Sequence, residues 1–388
     1  MPFNSFSYPA FLLCTVLLFW IVPARLRVWL LILSGILYYV SHDARSVLLI
    51  GGLALGTFAA GKVLEYRGVA RRACMVASVL LLVLVLVYFK YLGLLTGTFA
   101  SLSGLPLFVQ KIALPLGISF FTFEFIHYIV DRYHGKILPH PLRDFFAFAF
   151  FFPTLVSGPI KRFEQFHASL HDLRWRPDLF FTGILFLLLG YGQKYLFADP
   201  LIPFTTVLSH PEALLTPLSA SGGLVLYSFR IYFDFAGLSN IAIGSAMLLG
   251  ILVPQNFQAP YLSTDIQMFW RRWHMSLSSW VRDYVYILLG GSRKGMLMTA
   301  VNLLIVMVVV GIWHGDSWNF AVWGLWHGCG LILHRLWRSA GLTLGQSLPA
   351  RILGIILTFT FVTIGWAFFV TSSLQDSWLL LTTIFPFL

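Results

Sequence analysis

The stretch from Ala73 to Leu95, ACMVASVLLLVLVLVYFKYLGLL, carries a single charge, Lys90. About 20 mostly apolar residues in a helix are enough to cross roughly 30 Å of hydrocarbon, and this run meets that length. Working outward from it, similar runs recur at Phe6–Val22, Val28–Val40, Val47–Ala60, Ile112–Val130, Phe180–Phe197, Gly222–Leu252, Met298–Val310, Trp318–Leu333 and Ile352–Val370. Of 388 residues, 58% are hydrophobic and 11% charged, against roughly 45–50% and about 25% in ordinary soluble domains. No polar stretch is long enough to form a soluble domain. The expected fold is therefore an all-α polytopic membrane protein of about ten transmembrane helices, with 1–388 as a single domain. Phe145–Ile160 is interrupted by Pro153, Gly158 and Pro159 and reads as a partial, re-entrant segment, which needs protein or water around its freed backbone groups.

The net charge of +11 raises nucleic acid as a partner, but the cations form no single patch. They lie in short clusters between apolar runs: Arg25 and Arg27, then Lys62, Arg67, Arg71 and Arg72, then Arg132, Lys136 and Arg143. That is the pattern of the positive-inside bias. It puts the N-terminus outside, Arg67, Arg71 and Arg293 on the cytoplasmic face, and the loop Thr96–Gln110 outside. The first apolar run has no basic region before it and no small-residue cleavage site after it, so it reads as a retained span. Cys14, Cys74 and Cys329 are far apart within apolar runs and read as packing residues. No transporter-type internal repeat is visible.

The chemistry-bearing stretch is Met268-Phe269-Trp270-Arg271-Arg272-Trp273-His274-Met275-Ser276-Leu277-Ser278. It continues through Trp280, Arg282, Asp283 and Tyr284 to Gly290-Gly291-Ser292-Arg293-Lys294-Gly295. Trp and Tyr among Arg suit one helix over 268–284 lying at headgroup level. The sharper reading is a basic, aromatic entrance for an anionic acyl donor, with Arg271, Arg272, Trp273 and Arg282 binding it.

Farther on, Gly311-Ile312-Trp313-His314-Gly315 joins two apolar runs. A lone His there is either a hydrogen-bonded core residue or a base. Its flanking glycines and its polar neighbours Asp316, Ser317 and Asn319 favour the second, and imidazole titrates in the range a base needs. Trp326-His327-Gly328 repeats the tripeptide and weakens any argument from it alone. Asp234 reads either as a proton-relay carboxylate or as the partner of Arg230. There is no phosphate-cradling loop, no Gly-x-Ser-x-Gly elbow and no convincing metal-ligand spacing among the histidines and acids, so no metal and no bound cofactor are expected.

Several of these pieces occur together in one order. Pro115-Leu116-Gly117-Ile118-Ser119-Phe120-Phe121-Thr122-Phe123 is followed by Phe152-Pro153-Thr154-Leu155-Val156-Ser157-Gly158-Pro159-Ile160, then Tyr232-Phe233-Asp234-Phe235. Pro254-Gln255-Asn256-Phe257, Pro260-Tyr261-Leu262, the 269–294 stretch and Trp313-His314-Gly315 complete the series. From about residue 110 to 330 the chain resembles the membrane-bound O-acyltransferase (MBOAT) family, in the bacterial branch of alginate O-acetyltransferases and teichoic acid D-alanyl transfer proteins. The resemblance implies helices around a central channel, His314 as catalytic base and His274 on the channel's cytoplasmic side.

It further implies an acyl thioester donor, acyl carrier protein phosphopantetheine or acyl-CoA, entering from the cytoplasm. The acceptor would be a hydroxyl of an extracytoplasmic polysaccharide or envelope polymer, and the location the bacterial inner membrane. Acetyl and D-alanyl transfer both remain open, since analogy fixes reaction type better than substrate. Two other functions compete: an acyl-group transporter or flippase using the histidines and Asp234 as a relay, and a scaffold docking a separate periplasmic acyltransferase.

Overall fold

The computed structural model describes residues 5, 7–66, 68, 70–104, 112–155, 158–213 and 216–387. Arg67, Lys111 and residues 105–110 of the expected outer loop Thr96–Gln110 lie outside the described residues, as do Val156 and Ser157; the described start of that loop, Thr96 to Ser103, is helical. Among the described residues the chain is helical, with no strand. Six helices are long and apolar enough to cross a membrane: Ala24–Val63, Ala70–Ser103, Pro177–Ser209, Pro217–Leu248, Gly295–His314 and Leu348–Val370. Shorter apolar helices accompany them, and the count is compatible with the ten spans expected. The chain is an all-α, multi-pass membrane protein.

The helices group into two compact units, Met1–Tyr191 with Leu238–Pro254, and Gly192–Gly237 with Gln255–Leu388. The first unit holds α1 (Ser7–Ile21), α2 (Ala24–Val63), α3 (Ala70–Leu86), α4 (Leu92–Ser103), α5 (Ile118–Tyr133), α6 (Leu142–Ala149), α7 (Phe163–His171) and α8 (Pro177–Gly192, all but its last residue). The two runs expected at Val28–Val40 and Val47–Ala60 are the halves of α2, which kinks at Asp43 (φ −157°, ψ 95°). The Asp43 carboxylate accepts from Arg45 N and from Ser46 Oγ, so a side chain replaces the broken backbone ladder and restarts the helix. The basic loop after α2 and the basic end of α5 meet: Arg132 pairs with Glu65, and Arg71 donates to the Tyr133 carbonyl. Pro153 ends the expected partial segment as a single 3₁₀ turn, Phe152–Thr154, after α6. Lys161 is buried with Glu124 of α5, its Nζ 2.7 Å from both carboxylate oxygens. Such a pair keeps two charges tolerable in an apolar setting.

The second unit contains the short α9 (Ile202–Thr205), most of α10 (Pro217–Leu248), α11 (Ile266–Arg272), α12 (Met275–Val281), α13 (Gly295–His314), α14 (Trp318–Ser339), α15 (Leu348–Gly365), α16 (Ala367–Val370) and α17 (Leu374–Ile384). Helices α13 and α14 pack backbone against backbone. A Cβ on Gly311 would overlap the Phe320 carbonyl, and one on Gly324 would overlap the Met307 carbonyl. These glycines permit the close approach that small residues give membrane helices. Opening the backbone around His314 is not their purpose.

Two expectations fail here. Residues 268–284 are not one helix: α11 and α12 are separated at Trp273–His274, and a π-turn, Arg282–Tyr286, follows. Cys14 and Cys329 are exposed on their helices instead of packed, and Cys74 is half-buried.

Candidate active site

The break between α11 and α12 is a built feature. His274 adopts a left-handed conformation (φ 43°, ψ 55°). With Ala259 it is one of two non-glycine residues at positive φ among the described residues. This conformation costs about 1–2 kcal/mol per residue, so the surroundings must hold it. They do so through the segment at 256–258. Met275 N donates to the Asn256 carbonyl at 2.9 Å, and Ser276 Oγ to Asn256 Oδ1 at 2.6 Å. Gln258 N donates to the Arg272 carbonyl at 3.0 Å. Asp265 caps the start of α11 by accepting from Met268 N at 2.7 Å.

The result turns His274 inward, to 1% exposure. Its ring lies 4.7 Å from Phe235, 5.9 Å from Trp313 and 6.5 Å from His314. His314, at the C-terminal end of α13, is half-buried and lies 5.1 Å from Trp323 and 5.2 Å from Phe369. His327, one turn beyond Trp323 on α14, is 4.7 Å from that indole and 5.2 Å from Trp270. Three imidazoles thus share one aromatic shell. The sequence reading kept His274 apart from His314, at a polar entrance. Instead the two rings are neighbours, and both are some 20 residues, about 30 Å of helix, from the Gly295 end of α13.

Both ring nitrogens of His274 and of His327 are buried with no hydrogen-bond partner among the described residues. Buried polar atoms are almost always matched, so these nitrogens suit a polar group that enters the shell. Burial, with the nearby His314 adding to it, pushes the His274 imidazole well below its ordinary pKa. Burial thus favours its neutral form.

The other expected site residues divide. Asn319 is buried and donates from Nδ2 to Thr371 and Ser377, tying α14 to the chain around α17. Ser317 caps α14, and Asp316 is exposed. Asp234 is not paired with Arg230, which donates to Thr205 Oγ1. Its partner is Lys194, at 2.6 Å, which also holds Asp199 at 2.6 Å. Lys194 lies in a wider π-turn, Gln193–Ala198, which no sequence spacing reveals.

Of the residues expected to bind the donor, Arg271 is exposed, Arg282 bonds its neighbour Asp283, and Trp273 is buried, 5.1 Å from Phe257 and 5.2 Å from Trp366. Arg272 lines a cavity. That cavity measures about 1280 Å³ and is bordered by Arg272, Arg338, Arg351, His334, Trp326 and Phe361, among others. The three histidines do not line it, although Trp326 is adjacent to His327 in the chain. His334 and Arg338 lie one turn apart on α14 and Arg351 lies on α15, with no motif around any of them, so the sequence does not single them out.

The fold and site define a multi-pass helical membrane protein with an imidazole cluster in an aromatic shell, and comparison with known proteins supplies the class. The chain belongs to the membrane-bound O-acyltransferase family, whose model matches residues 75–373. It is 35% identical over 383 residues to the probable alginate O-acetylase AlgI of Pseudomonas aeruginosa, covering 95% of this chain and 72% of that one. Identity to the peptidoglycan O-acetyltransferase of Helicobacter pylori is 31%, over 92% of this chain and 73% of that one. The teichoic acid D-alanyltransferase of Streptococcus thermophilus is 32% identical, over 68% and 69%. The chain is a membrane-bound O-acyltransferase.

Proposed function

We propose that the protein moves an acetyl group from a cytoplasmic thioester to a hydroxyl of an extracytoplasmic polysaccharide or envelope polymer, at the bacterial inner membrane. The observation that carries this reading is the His274–His314–His327 cluster. Acetyl is favoured over D-alanyl because similarity to the acetyl-transferring relatives runs over 92–95% of the chain, and to the D-alanyl-transferring relative over 68%.

In the step proposed, the acceptor oxygen attacks the thioester carbonyl carbon while His314 takes the hydroxyl proton. The C–S bond then breaks and the thiolate takes up a proton, leaving an ester and a free thiol. A hydroxyl is a poor nucleophile until its proton is removed, and a positioned base contributes about 10²–10⁴-fold. A bridging oxygen making two hydrogen bonds of about 2.8 Å fits between His274 and His314, whose ring centroids are 6.5 Å apart. His274 therefore serves to hold the reacting oxygen. The arginine-lined cavity suits the phosphate-bearing arm of acyl-CoA or of an acyl carrier protein. A relay transporter would need free intramembrane carboxylates, whereas Asp234 and Glu124 each have a lysine partner.

The test uses purified protein in detergent, a radiolabelled acetyl thioester and a polysaccharide acceptor. Label should reach the acceptor with no further protein added, and should depend on His314. Label that reaches the acceptor only when a separate periplasmic acyltransferase is present would overturn direct transfer.

A further inference from the structure

The first unit contains a second histidine cluster, unrelated to the acyl-transfer site. Asp144, in the first turn of α6, is buried, and its Oδ2 lies 3.2 Å from His167 Nε2 and 3.0 Å from His171 Nε2. The two imidazole nitrogens are 3.1 Å from each other. His167 and His171 are one turn apart on α7, so they share a face. Phe145 and Phe148 of α6 pack on Phe163 of α7, and Phe163 stacks on the His167 ring at 5.3 Å and 25°. Arg143 engages the other oxygen, Oδ1, at 3.3 Å, leaving Oδ2 to the histidines.

Hydrogen bonding alone cannot satisfy this triangle. If both Nε2 atoms carry protons, each can donate to Oδ2, but two N–H donors then face each other across 3.1 Å. If one Nε2 is bare, its lone pair can accept from the other ring, yet it then faces the carboxylate oxygen as acceptor against acceptor. With the Asp144 carboxylate ionised, every protonation state of the two imidazoles leaves one edge repulsive. A cation seated on the triangle makes all three edges favourable. Metal–ligand distances of about 2.0–2.2 Å put neighbouring donor atoms about 2.9–3.4 Å apart in octahedral or tetrahedral coordination. The three edges here fall in that window.

We propose that Asp144, His167 and His171 form a binding site for a divalent first-row transition metal ion, clipping α6 to α7. Two imidazoles and one carboxylate are borderline donors that suit zinc, nickel or copper and not magnesium or calcium. His171 is half-exposed, at 54%, so the remaining coordination positions open outward to water.

The test is zinc titration of the full-length, tag-free protein in detergent after chelator treatment, read by calorimetry and by bound-metal analysis. One zinc per chain is expected, with at least tenfold weaker binding for His171→Gln and for Asp144→Asn. Zinc should raise the thermal midpoint of the wild type, as a ligand of the folded state must, and should not raise that of His167→Gln/His171→Gln. Excess magnesium should not compete. No zinc bound at about 10 μM free metal, or undiminished zinc stoichiometry in the double variant, overturns the proposal.

Discussion

The two histidine clusters are opposite solutions to placing imidazoles in a membrane protein. His274 and His327 are buried in an aromatic shell with neither ring nitrogen matched among the described residues. His167 and His171 are partly exposed and converge on a buried carboxylate. Desolvation without a counter-charge keeps an imidazole neutral and free to take a proton. A carboxylate beside two imidazoles instead concentrates negative charge and lone pairs at one point, which is what a cation needs. In the roles proposed for them, one residue type serves as a base in one place and as a metal ligand in the other, and the surroundings decide which.

The largest effect that separates them is on chemistry. His314→Gln is expected to lower acyl transfer about 10²–10⁴-fold while leaving zinc binding at wild-type affinity; single-turnover transfer and zinc titration on the same preparation check both. His327→Gln should cost less, because the Trp323 indole packs against both rings and His327 is not the ring proposed as base. Equal losses in the two variants would move the base away from His314.

A smaller effect concerns the frame. Helices α13 and α14, which carry His314 and His327, touch through Gly311 and Gly324. Gly324→Leu has no room and must push the helices apart, a loss of about 1–3 kcal/mol from overpacking, seen as a lower thermal midpoint. Gly52→Ala, on α2, has nothing within 4 Å of the added Cβ and should be neutral or slightly stabilising. Comparable destabilisation by both would mean that the α13–α14 contact is not what fixes the histidines.

The contrast also explains what the sequence could reveal. Apolar runs such as Ala73–Leu95 announce helices because length and composition alone decide insertion. His314 was legible because Trp313-His314-Gly315 ends such a run. The neighbourhood of His274 was not, since a basic aromatic stretch reads as one interfacial helix, and only the 256–258 segment, distant in pattern, forces the left-handed turn. His167 and His171 carry a visible signal, an i, i+4 pair in His167-Ala168-Ser169-Leu170-His171. That pair alone makes no convincing metal-ligand spacing in the sequence, since Asp144, the third group of the cluster, lies on another helix with no motif around it. Asp234 reads in the sequence either as a relay carboxylate or as the partner of Arg230; it pairs instead with Lys194, which local spacing does not show.

The smallest effect tests whether the turn at His274 is held by hydrogen bonds or by packing. Asn256 is buried, accepts from Ser276 through its side chain and from Met275 through its carbonyl. Asn256→Ala removes a buried acceptor of the Ser276 hydroxyl, a cost of about 1–3 kcal/mol. The backbone bond from Met275 survives, so the fold should persist with a lower thermal midpoint. The left-handed strain at His274 then loses one of its restraints, and the imidazole drifts from its position beside His314. Transfer should fall by about tenfold, which corresponds to roughly 1.4 kcal/mol of lost positioning, well short of the loss in His314→Gln, while zinc binding at Asp144 stays unchanged. His274→Asn, which tolerates the same backbone conformation, separates the two contributions: it should keep the thermal midpoint and still lose transfer. If Asn256→Ala lowers stability without touching transfer, packing by Phe235 and Trp313 alone orients His274, and the hydrogen-bonded turn serves the fold only.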